Sequence, residues 1–137
     1  MADYPIDQVL KAVGEPTRVR LLNLLRIGDI CVCDLQAVLQ VSQCNVSRHL
    51  AALRHVGLVS YTRRGTRIIY SLAPPSTLQK VALHDFLHRC FSLEPALQQD
   101  IARFREAVAE GECRLESRGA PTEEAPVGEP QVEGNPA

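Results

Sequence analysis

The chain has 137 residues, 45% of them hydrophobic, and a formal net charge of −1. This length fits one domain with one core, and no apolar run is long enough to span a bilayer. Residues 1–5 lack the basic start and apolar stretch of a signal peptide, so we expect a cytoplasmic protein whose five cysteines serve metal, redox or core roles and do not form a disulfide framework.

Three helices are predicted in the N-terminal part of the chain. Apolar residues at helical spacing predict a first helix that Gly14 ends. Pro16 begins the second, because proline is tolerated at the first helical position, and Gly28 ends it. A short third helix is predicted over residues 33–39.

A cysteine pair, Cys31 and Cys33, stands at the start of this third helix. Residues two apart on an α-helix point in nearly opposite directions, so both sulfurs cannot hold one ion there, whereas in extended chain they point the same way. Either Cys31 lies before the helix, or the helix start deforms when an ion binds. Free backbone N–H groups at a helix start favour thiolate, so we expect Cys33 to ionise readily and the pair to select soft ions.

A fourth helix is predicted to begin after Ser42, which caps it, and to continue to Val56. Only about three residues separate it from the third helix, an arrangement typical of a helix-turn-helix. Its outer face carries small residues and one arginine, which suits insertion into a DNA major groove. We predict DNA contacts from residues at its start and on this face: Gln43, Cys44, Asn45, Ser47 and Arg48. His49, at the edge of the buried side, is predicted to be structural or to contact phosphate.

The pattern then changes to period two, which predicts strands over residues 58–63 and 66–71, joined at Arg64 and Gly65. A hairpin directly after a helix-turn-helix is a wing. We predict that its arginines also contact DNA: Arg63, Arg64 and Arg67.

The distribution of charge supports a phosphate-binding surface in the middle of the chain. No acidic residue occurs between Asp34 and Asp85, although arginines and a lysine do. Taken alone, a solvated basic face would explain this block equally well.

The C-terminal part is predicted to contain two more helices. The first is apolar around much of its surface and needs burial that a partner subunit would supply, so we expect a homodimer. The second begins at Pro95. We assign residues 1–115 to a mainly α winged helix-turn-helix domain for DNA binding and dimerisation, and residues 116–137, rich in Gly, Pro and Glu, to a disordered acidic tail.

The sequence resembles the ArsR/SmtB family of bacterial metalloregulatory repressors over roughly residues 5–92. Five segments carry the resemblance in the same order, namely residues 15–22 (EPTRVRLL), 31–35 (CVCDL), 47–50 (SRHL) with Leu53, 57–59 (GLV) and 70–72 (YSL). The resemblance implies a homodimeric repressor that leaves its operator DNA when an ion binds. The pattern is closest to that of arsenical-resistance repressors, which implies arsenite or antimonite as inducer at Cys31 and Cys33, ahead of zinc, cadmium or lead.

The chain departs from the family at the third metal ligand, because it has Gln36 where arsenic repressors of the best-known type place a third cysteine. We predict Cys113 as the third ligand, ahead of Cys44 and Cys90. Cys44 is expected to point toward DNA and to be a site of oxidation, and Cys90 to lie in the core or the dimer interface.

Other functions stay open at this point. A repressor of the same fold that responds to thiol oxidation or persulfide, or a cadmium or lead sensor, would use the same cysteines. His84 and His88 have a spacing that can hold zinc, but Asp85 does not fit the family's zinc pattern, and we favour a solvated face. An enzyme is not expected, because no set of nucleophile, base and orienting group is apparent.

Overall fold

The structure, a computed structural model, describes residues 4–116. The helices are α1 (Ile6–Val13), α2 (Pro16–Leu25), α3 (Val32–Leu39), α4 (Gln43–His55), α5 (Leu78–Ser92) and α6 (Pro95–Ala109). The strands are β1 (Asp29–Cys31), β2 (Val59–Arg64), β3 (Arg67–Leu72) and β4 (Leu115–Glu116). Nearly all of the predicted tail, residues 117–137, lies outside the described residues, as do residues 1–3.

Local signals determine where the helices begin. Pro16 opens α2, and the Glu15 side chain accepts a hydrogen bond from the backbone N–H of Arg18 at 3.0 Å. The Ser42 hydroxyl accepts the backbone N–H of Asn45 at 3.2 Å and so caps α4. A short turn joins α3 to α4, which confirms the helix-turn-helix.

The core holds α4 in one orientation. Its apolar side, Val46, Leu50 and Leu53, is buried, as the 3.6-residue period of the sequence predicts, and belongs to one core with apolar residues of α2 and α3. All of these side chains have at most 1% of their surface exposed, including Leu21, Leu24, Leu25 and Leu35. Burying one such side chain contributes about 1.5–3 kcal/mol. The opposite face of α4 is therefore held toward solvent.

The wing is an antiparallel hairpin of β2 and β3, as predicted. Both strands begin and end one residue later than predicted, because the closing pair is Arg64 with Arg67 and the turn consists of Gly65 and Thr66. Gly65 has φ of +63°, a conformation that glycine adopts without strain.

Two strands were not predicted. They complete a four-stranded sheet in the order β2-β3-β1-β4, in which Asp29 of β1 is paired with Glu116 of β4. A Cβ atom on Gly28 would lie 2.5 Å from Cδ1 of Leu115, so this glycine allows β4 to approach. The boundary predicted after residue 115 falls inside β4, and Glu116 belongs to the folded part of the chain.

Much of the apolar surface of α5 is exposed. Only Leu83 and Phe91 of this helix are buried, whereas Leu78 is 87% and Phe86 58% exposed. As predicted, the described single chain leaves apolar side chains of α5 uncovered. None of the helices in residues 4–116 has the length and apolar character needed to cross a membrane.

Candidate thiol site and nucleic-acid interface

The cysteine pair lies where the sheet meets α3. Cys31 ends β1 and precedes α3 in an extended conformation (φ −67°, ψ 145°), and Cys33 is in the first turn of the helix. Their Sγ atoms are 2.9 Å apart. Of the two alternatives that the sequence left open, the first is correct, since Cys31 lies before the helix. Cys31 is buried and Cys33 exposed, so one sulfur is held by the fold and the other is accessible.

The expectation that Cys33 ionises readily is wrong. Its pKa is raised to about 12, first because the exposed residue keeps its thiol partly desolvated against Cys31, then by the hydrogen bond and charge of Cys31, and then by Asp34. The Asp34 carboxylate lies 3.8 Å from the sulfur. These neighbours outweigh the N–H groups at the helix start, and Cys33 is a thiol at neutral pH.

Cys113, the predicted third ligand, lies near this pair. It is buried, and its pKa is raised to about 11, first by burial and then by Asp34, Glu112 and Cys31. The backbone N–H of Arg114 donates to Asp34 at 2.9 Å, which ties this segment to the first turn of α3. Within residues 4–116, no three Cys, His, Asp or Glu side chains already converge closely enough to hold a metal ion.

The other candidate ligands lie on other elements. Cys44 is exposed on α4, and Cys90 is exposed on α5. Of the two places predicted for Cys90, the core of the described chain is therefore wrong, and the dimer interface stays a prediction. The His88 ring Nδ1 lies 2.7 Å from the Arg26 guanidinium, and burial lowers the pKa of His84, with the charge of Lys80 adding to the shift.

The outer face of α4 has the composition predicted for a groove-reading helix. Gln43, Cys44 and Arg48 are exposed, and Asn45 and Ser47 are half-buried. The Arg48 guanidinium donates to the Asn45 side-chain oxygen, which holds the arginine along the helix.

His49 connects α4 to α2. Its side chain is only 14% exposed, and its Nδ1 accepts a hydrogen bond from Nε of Arg18 at 3.1 Å. Burial lowers its pKa, and Arg18 and Arg48 add to the shift, while Glu15 opposes it. Because the neutral His49 ring accepts a hydrogen bond from the Arg18 guanidinium, a structural role is favoured over the predicted alternative of a phosphate contact.

The wing arginines differ in their surroundings. Arg63 is exposed, whereas the side chains of Arg64 and Arg67 are each 29% exposed and both form ion pairs with Glu116. The Arg64–Glu116 distance is 3.2 Å.

Sequence reasoning missed two acidic residues at this site, Asp34 and Glu116. Asp34 was visible as the neighbour of Cys33, and a search for groups that raise a thiol pKa would have found it. Glu116 lies in a strand of two residues, for which the chain carries no periodic signal.

Comparison with known proteins gives matches over the same elements. The family model described as "Bacterial regulatory protein, arsR family" matches residues 15–61. The arsenic resistance transcriptional regulator ArsR1 of Pseudomonas putida is 42% identical over 67 residues, which cover 48% of this chain and 52% of that protein. The arsenical resistance operon repressor of Escherichia coli is 37% identical over 84 residues, 61% of this chain and 72% of that protein. The chain thus spans about half the length of the first of these relatives.

Among solved structures, a fragment of Mb0332 from Mycobacterium bovis is described as a homodimeric winged helix-turn-helix DNA-binding domain and as a possible ArsR-family regulator. It superimposes with a TM-score of 0.53 and 28% identity, over 61% of this chain and 78% of that one.

Proposed function

This chain belongs to the arsR family of bacterial regulatory proteins, and on that premise we propose that it represses transcription and releases its operator when trivalent arsenic or antimony binds Cys31 and Cys33. The observation that carries the proposal is the contact between these two sulfurs, 2.9 Å apart at the joint between β1 and α3.

The chemistry suits protonated thiols. Arsenous acid is neutral, and each thiol that attacks it forms an As–S bond while its proton leaves with a hydroxyl group as water. No electrons are transferred. Cys31 and Cys33 supply two sulfurs and Cys113 the third, since Asp34 keeps its segment beside them.

Binding would act on DNA through α3. Cys31 is paired with Ile69 of the wing strand β3, and α3 packs against α4. Because Cys113 does not already converge with the Cys31–Cys33 pair closely enough to hold an ion, the ion has to draw the first turn of α3 and the Cys113 segment together. A helix that must fit the major groove tolerates little displacement, so this movement favours release.

The exposed face of α5 indicates the partner of the chain. We propose that a second copy covers Leu78 and Phe86 and forms a homodimer, the assembly named for the Mycobacterium bovis domain. Two symmetric copies of α4 then bind two half-sites of operator double-stranded DNA.

The test uses a labelled DNA duplex that has been selected from a random library for binding to the protein. Its release is measured by fluorescence anisotropy while arsenite, antimonite, cadmium, lead or zinc is added. We expect Cys31→Ser and Cys33→Ser to bind DNA as the parent does and to stay bound at arsenite concentrations that release the parent. Cys113→Ser should need more arsenite, and the exposed Cys90→Ser is the matched control. Release of the Cys31→Ser and Cys33→Ser proteins by arsenite, as in the parent, would refute the proposal.

A second candidate, a repressor that responds to thiol oxidation, is favoured by the same contact. The two thiols would lose two electrons and two protons to a peroxide, forming a disulfide and two molecules of water. Mass spectrometry after mild peroxide treatment would show a Cys31–Cys33 crosslink and, in parallel, loss of DNA binding.

A further inference from the structure

Residues 112–116 form a segment, here called the C-terminal strap, that joins three parts of the fold. The backbone N–H of Glu112 donates to the Ala107 carbonyl of α6 at 2.8 Å. The backbone N–H of Arg114 donates to Asp34 at the thiol site, and β4 extends the sheet that contains the wing. The strap therefore connects the thiol site to the wing hairpin.

At its end, the strap places one carboxylate against two wing arginines. Glu116 has a side chain only 5% exposed, and it accepts hydrogen bonds from Arg64 and Arg67, one on each of its oxygens. These arginines form the closing pair of the wing hairpin. Charge-assisted bonds of this kind are among the stronger hydrogen bonds in proteins.

Two further contacts hold the strap in one position. Gly28 leaves room for Leu115, since any Cβ there would overlap the leucine side chain. Arg67 is bonded to Glu116 and also to the Cys31 thiol, and both contacts raise its pKa against the opposing effect of burial. The arginine thus touches both the carboxylate and the proposed ion site.

We propose that Glu116 is an internal competitor of DNA phosphate for Arg64 and Arg67, and that the strap couples this competition to ion binding. A carboxylate and a phosphate are both oxyanions that guanidinium groups bind, and the same N–H donors cannot serve both. The coupling rests on the proposed function: an ion that binds Cys113 with Cys31 and Cys33 holds the strap, and with it Glu116, against the wing.

The variant Glu116→Gln tests the competition, because it keeps the shape of the side chain and removes its charge. Without arsenite, we expect it to bind the selected duplex about tenfold more tightly than the parent, as expected when a charged hydrogen bond no longer competes. The matched control is Glu106→Gln on α6, an exposed residue whose substitution changes the net charge equally. Equal affinity of the parent and Glu116→Gln would overturn the competition.

A double-mutant cycle separates a specific contact from general charge. In a protein that carries Arg64→Gln and Arg67→Gln, adding Glu116→Gln should leave DNA affinity unchanged. A persistent tenfold gain in that background would overturn the assignment to these arginines. Thermal unfolding of each variant confirms that the compared proteins are folded.

Arsenite titration then tests the coupling separately from the proposed function. In Glu116→Gln, arsenite should bind with the same stoichiometry by mass spectrometry but weaken DNA binding by a smaller factor than in the parent. An identical factor would overturn the coupling and leave the proposed function intact. Failure of arsenite to bind or release the parent would instead reject the proposed function, while the DNA affinities without arsenite would still decide the competition.

Discussion

The number of protons released on binding distinguishes arsenite from a divalent ion at this site. Cys33 and Cys113 have pKa values of about 12 and about 11, so both are protonated at neutral pH. Arsenous acid carries hydroxyl groups that leave as water with the thiol protons, so its binding releases no net proton. Cadmium brings no such group, and each thiol must lose its proton to solution.

The structure gives the size of the difference. At pH 7, cadmium binding should release about two protons from these two cysteines, and they should together contribute about a 100-fold rise in cadmium affinity for each unit of increasing pH, tenfold per thiol. Arsenite affinity should stay nearly constant between pH 6 and pH 8. The contrast follows from the burial and the acidic neighbours that raise the two pKa values.

Isothermal titration calorimetry in buffers of different ionisation enthalpy counts these protons directly. The Cys113→Ser variant should release about one proton fewer on binding cadmium, because one protonated ligand is removed. A cadmium titration that releases less than one proton in the parent would mean that the thiols are already ionised, and the argument from the raised pKa values would be wrong.

Three further predictions concern stability. Asp100→Asn should lower the free energy of unfolding in urea by about 2 kcal/mol, because the carboxylate, only 3% exposed, accepts charged hydrogen bonds from Arg20 at 2.8 and 3.0 Å; an unchanged urea midpoint would contradict this. The pKa of His49 is lower in the folded protein than its unfolded value of 6.5, so the neutral ring stabilises the fold above pH 6.5 and this stabilisation is lost as pH falls. The decrease in the free energy of unfolding between pH 7.5 and 5.5 should therefore be smaller in His49→Gln than in the parent. The raised pKa of Cys113 acts in the opposite direction, because its stabilising contribution is present below pH 9.0, its unfolded pKa, and is lost as pH rises toward its folded pKa of about 11. In urea unfolding, Cys113→Ser should therefore lose less stability than the parent over this alkaline range.

The helix-turn-helix and the wing could be predicted because their signals are local. Pro16 and Ser42 mark helix starts through groups that the backbone leaves unpaired there, and Gly65 permits a turn that few other residues adopt. The buried side of α4 followed from the 3.6-residue period. The strand ends were one residue off because Arg64 pairs with Arg67 and so belongs to the strand and not to the turn.

The candidate thiol site was predictable only in part. The spacing of Cys31 and Cys33 left two alternatives, and the structure has the first, with Cys31 extended before α3. The ionisation of Cys33 was predicted wrongly, since the helix start was weighed without the neighbouring Cys31 and Asp34.

The amino-acid order alone determined the helices, the hairpin and the family, because capping, glycine turns and apolar periodicity act between residues close in the chain. Only the tertiary structure decided that β4 joins the sheet and that Glu116 meets wing arginines 49 and 52 positions earlier. A strand of two residues has no period of its own, and it forms because β1 offers free backbone groups and Gly28 offers space. The link between the sulfur ligands and the wing is therefore a property of packing.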